Sequence, residues 1–408
     1  MGFTIEQECP QCGAPIELDE TDHLFCCPYC GVKSMLFAPD YFRYILPDIT
    51  PDKDLFYAPY LRFKGNVFFC RDMTVGHRVV DITHVGLELK GLPVSLGLRP
   101  QAMKLRYMNP EIKGVFLRFS LKAADILSRA GKISSNTPRT PVLHRAFIGE
   151  TMSLIYLPLY LKGDTLVDAV INRPVAGLPD GRETLESAMP EKIQWDISFI
   201  PTLCPRCGWN LEGGKDSVTL FCKNCMTAWE GSKGKLNQVK WLCIPGQSKK
   251  SSYLPFWKIS ANARGVELSS FADFIRLTNQ PVVIDREWEK EDMTFWSPAF
   301  KIRPKIFLAL SRNLTVARKP FEADNAAPCE NLFPVTLPST EAIQALKIIL
   351  ACSAVNKKNI FPHLPRIRFE IKDLTLVYLP FHETAHDMIQ QDTGISVNKR
   401  SLAFGRKL

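Results

Sequence analysis

The sequence predicts an α+β protein, mostly β, built as two similar halves. Three observations predict it. Two cysteine quartets share one spacing. A short aromatic–proline phrase recurs twice after each quartet. Each half also shows one clear helix ahead of its second phrase. Thirty prolines and many short apolar runs fit strands joined by long loops.

The quartets come first in each half. Cys9-Pro10-Gln11-Cys12-Gly13 is followed by Cys27-Pro28-Tyr29-Cys30-Gly31, with fourteen residues between Cys12 and Cys27. Cys204-Pro205-Arg206-Cys207-Gly208 is closed by Cys222-Lys223-Asn224-Cys225, with the same fourteen residues between Cys207 and Cys222. Two C-x2-C pairs at this separation suit a tetrahedral ion held by four thiolates. Gly13, Gly31 and Gly208 follow three of the pairs, where backbone freedom lets an amide turn back toward sulfur. Met226 stands in the fourth such place and fits the pattern less well. Cys26 competes with Cys27 as a ligand, but the second quartet has Phe221 there, which favours Cys27. Four thiolates fill the coordination sphere, so two structural Zn2+ are expected, ahead of rubredoxin-like iron. The quartets resemble the zinc-ribbon superfamily, in particular the C-P-x-C-G knuckles of transcription-factor and RNA-polymerase-subunit ribbons.

The phrase is the second signal. Tyr57-Ala58-Pro59-Tyr60-Leu61 begins 48 residues after Cys9, and Tyr253-Leu254-Pro255-Phe256-Trp257 begins 49 after Cys204. Tyr156-Leu157-Pro158-Leu159-Tyr160 and Tyr378-Leu379-Pro380-Phe381-His382 repeat it once more per half. Each reads as a strand, with the proline at a strand start, an edge or a bulge because it cannot donate to a ladder. Asn66–Cys70, Val115–Phe119 and Ile306–Leu310 are also β-like. Helices are expected over Leu121–Ala130, capped by Ser120, and over Glu341–Val355, capped by Ser339 or Thr340. Segments 131–141 and 320–338 read as loops. A ribbon followed by Y-x-P-[YF]-W phrases is similar to a group of bacterial zinc-ribbon proteins. The expected organisation is ribbon 1 over 1–35, a β-rich module over 36–200, ribbon 2 over 201–232 and a second β-rich module over 233–408.

Composition bounds the rest. The formal charge is +9, falling to about +5 once eight thiolates bind two dications, which alone does not argue for nucleic acid. Five leftover cysteines, Cys26, Cys70, Cys243, Cys329 and Cys352, read as scattered thiols and suit a cytoplasmic setting. No apolar run is long enough to span a membrane. No glycine loop suits a nucleotide or dinucleotide cofactor.

Two further patterns carry chemistry. His382-Glu383-Thr384-Ala385-His386 matches H-E-x-x-H, in which a helix brings two imidazoles to one zinc. It lies inside a strand phrase, which sets it against that role. Lys301-x-Arg303-x-Lys305 would put three cations on one strand face, as Lys104-x-Arg106 would two, within acid-free stretches. The expected function is therefore a non-enzymatic zinc-binding scaffold or adaptor for partner proteins. The alternatives are nucleic-acid binding through those cations, or zinc peptidase action through His382, Glu383 and His386.

Overall fold

The computed structural model describes residues 2–49, 53–121, 141–178, 185, 197–246, 251–318 and 330–407. The protein is mostly β, with two similar sheet modules. Its contacts divide it into two units. Unit 1 comprises 1–64, 80–137 and 151–201; unit 2 comprises 65–79, 138–150 and 202–408.

The first half supplies strands β1 (Thr4–Glu8), β2 (Pro15–Asp19), β3 (Leu24–Cys26), β4 (Lys33–Phe37) and β5 (Phe42–Ile45). Next come β6 (Phe56–Arg71), β7 (Thr74–Val85), β8 (Lys104–Tyr107), β9 (Val115–Phe116) and β10 (His144–Lys162). β11 (Thr165–Asp168), β12 (Arg173–Gly177) and β13 (Ser198–Pro201) complete it. A ten-stranded sheet runs β12-β11-β10-β5-β8-β1-β2, with β6 pairing β10, β7 and β9; a separate sheet runs β13-β4-β3. In the second half, β14 (Leu211–Glu212), β15 (Thr219–Cys222), β16 (Thr227–Ser232) and β17 (Lys235–Cys243) form a meander. It continues through β20 (Arg368–Glu383) to β18 (Ser252–Arg264) and β19 (Thr294–Pro298), while β21 (Asp387–Gln390) and β22 (Ile395–Asn398) extend from β20.

All four phrases lie in long strands, and in each module the two phrase strands pair: β6 with β10, β18 with β20. Tyr253 faces Pro380 and Pro255 faces Tyr378 across the second pair. The modules agree further. β5 runs parallel to β10, opposing Ile45 to Tyr156, and β17 runs parallel to β20, opposing Cys243 to Tyr378. Each parallel strand ends with the same bond: Leu46 N donates to Tyr156 O, Ile244 N to Tyr378 O. A hairpin, β11–β12 or β21–β22, then follows each second phrase.

The prolines sit inside long strands and not at their starts, but each of Pro59, Pro158 and Pro255 occupies a local edge. The ladder survives because a neighbouring strand has just ended there. Pro59 O accepts from Gly86, Pro158 O from Ala169 and Pro255 O from Ala299, each the first residue after β7, β11 or β19. A residue's N–H and C=O point to the same side of a strand, so the missing donor faces a strand that has left.

Helical expectations need more correction. Ile306–Leu310 is not β but part of a helix, Pro304–Ala317. Pro304 opens it at N1, and Phe307, Leu310 and Leu314 bury one face at helical spacing. The Lys301–Lys305 strand therefore does not form. The expected Glu341–Val355 helix is two pieces, Ser339–Gln344 and Leu346–Ser353, and Ser339 lies inside it. Its cap comes from afar: the Glu230 carboxylate on β16 accepts from Ser339 N at 2.7 Å and Ser339 Oγ at 2.6 Å. A helix at Phe271–Thr278 was legible but unread, since Ser270 and Asp273 form a capping box. The expected Leu121–Ala130 helix lies outside the described residues, save Leu121. Among the described residues no helix is long and apolar enough to cross a membrane.

Candidate metal centres

Each quartet folds as two knuckles. Cys9 and Cys12 sit on the β1–β2 turn and Cys27 and Cys30 on the β3–β4 turn. Cys204 and Cys207 follow Leu203, which bridges to Asn210, while Cys222 and Cys225 sit on the β15–β16 turn. The first cysteine of every pair is buried, and the second lies nearer solvent. Gly13, Gly31 and Gly208 have φ of +71°, +73° and +73°, and each donates its amide to the carbonyl of the pair's first cysteine. Met226, the misfit in the pattern, adopts the same left-handed turn at φ +53°, and its carbonyl accepts the Trp241 indole N–H at 2.9 Å. The fourth knuckle is thus regular in shape, with tertiary support where glycine would have avoided Cβ strain.

The sulfurs converge in two groups, each within 4.8 Å. Cys9 and Cys30 stand 3.7 Å apart, as do Cys12 and Cys27; Cys204–Cys225 and Cys207–Cys222 measure 3.6 and 3.5 Å. A tetrahedron with metal–sulfur bonds of about 2.3 Å has edges of about 3.8 Å, so both tetrads are sized for a four-coordinate ion. Cys26 is exposed and outside the tetrad, leaving Cys27 as the converging sulfur.

Charge points the same way. Burial opposes ionisation of Cys204, but the Thr227 hydroxyl and the amides of Arg206 and Cys207 outweigh it and bring the thiol down to about 6. Burial likewise opposes ionisation of Cys27, yet the amides of Cys30 and Tyr29 bring it down to about 6. Burial and the neighbouring Cys207 and Cys225 sulfurs push Cys222 up to about 12. Four sulfurs this close cannot all ionise against one another; a dication relieves the repulsion. Thr227, at 3.1 Å from Cys225 and 3.6 Å from Cys204, was missed in the sequence; a hydroxyl two residues past the last cysteine was the available signal.

No family model matches this chain, and neither does any curated protein or solved structure. The zinc-ribbon-like character of the knuckles rests on their spacing and geometry.

The other sequence candidates fare differently. Lys104 and Arg106 do share the exposed face of β8, but Lys104 is held by Glu6 and Glu17. Lys301 is buried, Arg303 stacks on Phe404 with its guanidinium carbon 4.5 Å from the ring centre, and Lys305 lies exposed on the helix. These three share no strand face. His382 and Glu383 end β20, and Thr384–His386 form the turn into β21. The helix that would aim both imidazoles at one ion does not form. Glu383 instead pairs with Lys399 at 2.7 Å and accepts the Ser252 hydroxyl. Cys243 is disulfide-bonded, which corrects its reading as a free thiol.

Proposed function

We propose that this chain is a structural zinc protein and acts as a scaffold or adaptor for protein partners. The convergence of all eight knuckle sulfurs into two closed tetrads carries this reading. Cys9, Cys12, Cys27 and Cys30 would hold one ion, and Cys204, Cys207, Cys222 and Cys225 the other. Four thiolates leave no coordination position for a substrate or an activated water. Zinc is preferred to iron because the sites fasten short hairpins together, a task without redox demand. The matching pairings Ile45–Tyr156 and Cys243–Tyr378 support descent of the two halves from one duplicated module.

Two apolar side chains at the knuckles support partner binding. Tyr29 is 70% exposed and Trp209 is 58% exposed, each on a knuckle held rigid by the metal. Elemental analysis of the purified chain is expected to find two zinc ions, and the cobalt form a tetrathiolate spectrum insensitive to added azide. Fewer than two ions, or a spectrum that azide alters, would refute the closed-site reading. For the adaptor role, crosslinking in the native host is expected to yield protein adducts that Tyr29→Ala and Trp209→Ala reduce. Unchanged adducts would remove the knuckle faces as the docking surface.

A further inference from the structure

We propose that unit 2 binds the phosphate backbone of a nucleic-acid duplex, without reading its sequence. The surface is cationic and is formed by the helix Leu346–Ser353 and the two 3-10 turns after it, Lys357–Asn359 and Phe361–His363. Between Glu341 and Glu370 the chain carries five lysines and arginines and no acidic residue. Lys358, Arg366 and Arg368 are exposed, and Lys347 and Lys357 are half-buried. The surface uses no residue of the cysteine tetrads.

Backbone carbonyls, not carboxylates, hold these cations. Lys347 Nζ donates to Leu364 O at 3.0 Å. Arg368 Nη1 donates to Pro365 O at 2.8 Å and to Ile367 O at 2.9 Å. Two charged heads thus rest on the carbonyls of residues 364–367. Among the described residues none of the five pairs with a carboxylate. The acids at either end of the run are engaged: Glu341 accepts the Gly149 amide, and Glu370 pairs with Arg264 at 2.5 Å. Arg264 stands directly opposite Arg368 across β18 and β20, so one carboxylate there meets two cations.

A buried neighbour registers the resulting field. Burial, reinforced by Lys347 and Arg368, brings His144 at the start of β10 down to about 4. Burial and Arg368 hold Lys347 below the usual lysine range. Cations that disfavour one another in this way are relieved by an anionic ligand. His144 reports the field and is not itself a contact, because its Nε2 is buried.

The charge is spread out and does not converge on one point. Burial pushes Cys352 up to about 12, while Arg312 and Lys357 oppose the rise, which places both near the end of the helix. Lys347 stands near its start. Eight helical residues rise about 12 Å, so the two groups reach several phosphates of a duplex, whose charges recur about every 1.7 Å along the axis.

Composition decides the class of partner. A protein interface centres on apolar and aromatic anchors and is poor in lysine. A single strand asks for aromatic side chains on which its bases can stack. This run offers neither: Phe361 is buried, and Phe369 packs edge-on against Phe295 at 5.4 Å. A duplex, with its bases already stacked, needs only the cations.

The test uses the full metallated chain, a labelled mixed-sequence DNA duplex, and fluorescence anisotropy across a salt series. Binding at low salt is expected, with log K falling on log salt with a slope of about −4, as for four or five phosphate contacts. Lys358→Glu with Arg366→Glu, at exposed positions, should weaken binding at least about tenfold and flatten the slope by about 2. Lys90→Glu with Lys162→Glu makes the same charge change at exposed positions of unit 1 and should leave binding within about twofold. No duplex binding at low salt, a slope near zero, or equal weakening by the two double variants would overturn the assignment. Tighter binding of the single strand would also overturn it, and displacement of the duplex by polyglutamate at equal charge would hand the surface to an acidic protein. None of these outcomes bears on zinc content or on the Tyr29 and Trp209 adducts, so the reading above stands or falls separately.

Discussion

The two knuckle pairs share spacing and turn geometry but not their surroundings. In the first, β1–β2 belongs to the ten-stranded sheet and β3–β4 to the three-stranded sheet with β13. The sulfurs there tie together hairpins of two different sheets. In the second, β14, β15 and β16 are consecutive strands of one meander that runs on into β17 and the nine-stranded sheet. That meander is also fastened without metal. Val218 N donates to Val335 O, Asp216 pairs with Arg406 through two bonds of 2.6 Å, and Glu230 caps the Ser339–Gln344 helix. One cysteine pattern can therefore join hairpins of two sheets in one place and brace consecutive strands of a single meander in another.

Removing a ligand from each centre tests this most strongly. Cys12→Ser should lose one zinc and leave β1–β4 open to proteolysis, since structural zinc supplies apparent binding free energies of about 10–16 kcal/mol to small domains. Cys207→Ser should also lose one zinc, yet amides of β16 and β17 should stay protected from hydrogen exchange. Equal loss of protection at both centres would remove the distinction.

The non-metal fastening comes next. Glu230→Ala leaves Ser339 N and Oγ without their acceptor, and should cost about 1–3 kcal/mol by denaturant titration. A change within error would show that the meander does not depend on this cap.

A pH effect in unit 2 follows in size. Burial pushes Glu341 up to about 8, opposed by Lys301, and its carboxylate accepts the Gly149 amide. A carboxyl whose folded pKa is raised holds its proton more tightly folded than unfolded. Its contribution is full below about pH 4.5 and lost progressively as pH rises to about 8. The melting temperature should fall between pH 6.5 and 8.5, and Glu341→Gln should flatten that fall. A variant with the same pH slope as the parent would sink the assignment.

The smallest expected effect is at the fourth knuckle. Met226→Gly should stabilise the second centre by about 0.5–1 kcal/mol, because glycine takes positive φ without Cβ strain, less its greater freedom when unfolded. Destabilisation would show that the Met226 side chain contributes packing that outweighs the strain.

Much of this was legible because it is local. A C-x2-C knuckle is one tight turn, so Cys9 through Cys30 and Cys204 through Cys225 announce themselves by spacing alone. The phrases announce strands because each sets aromatic and apolar residues on both sides of a proline, with little that favours a helix. Lys301-x-Arg303-x-Lys305 misled because alternation over five residues suits a strand, whereas Phe307, Leu310 and Leu314 reveal a helix only over a longer window. His382-Glu383-Thr384-Ala385-His386 misled because two histidines four apart matter only if a helix joins them.

By itself, then, the chain's order of residues determined the eight sulfurs, the four phrase strands and the repeat, since each depends on neighbours within one turn or strand. Only the tertiary structure decided which sheets the sulfurs join, that Glu230 caps a helix 109 positions away, and that Pro59, Pro158 and Pro255 sit where an adjoining strand has just ended. Those outcomes depend on partners brought together by burial and pairing across long loops, which no local window of sequence encodes.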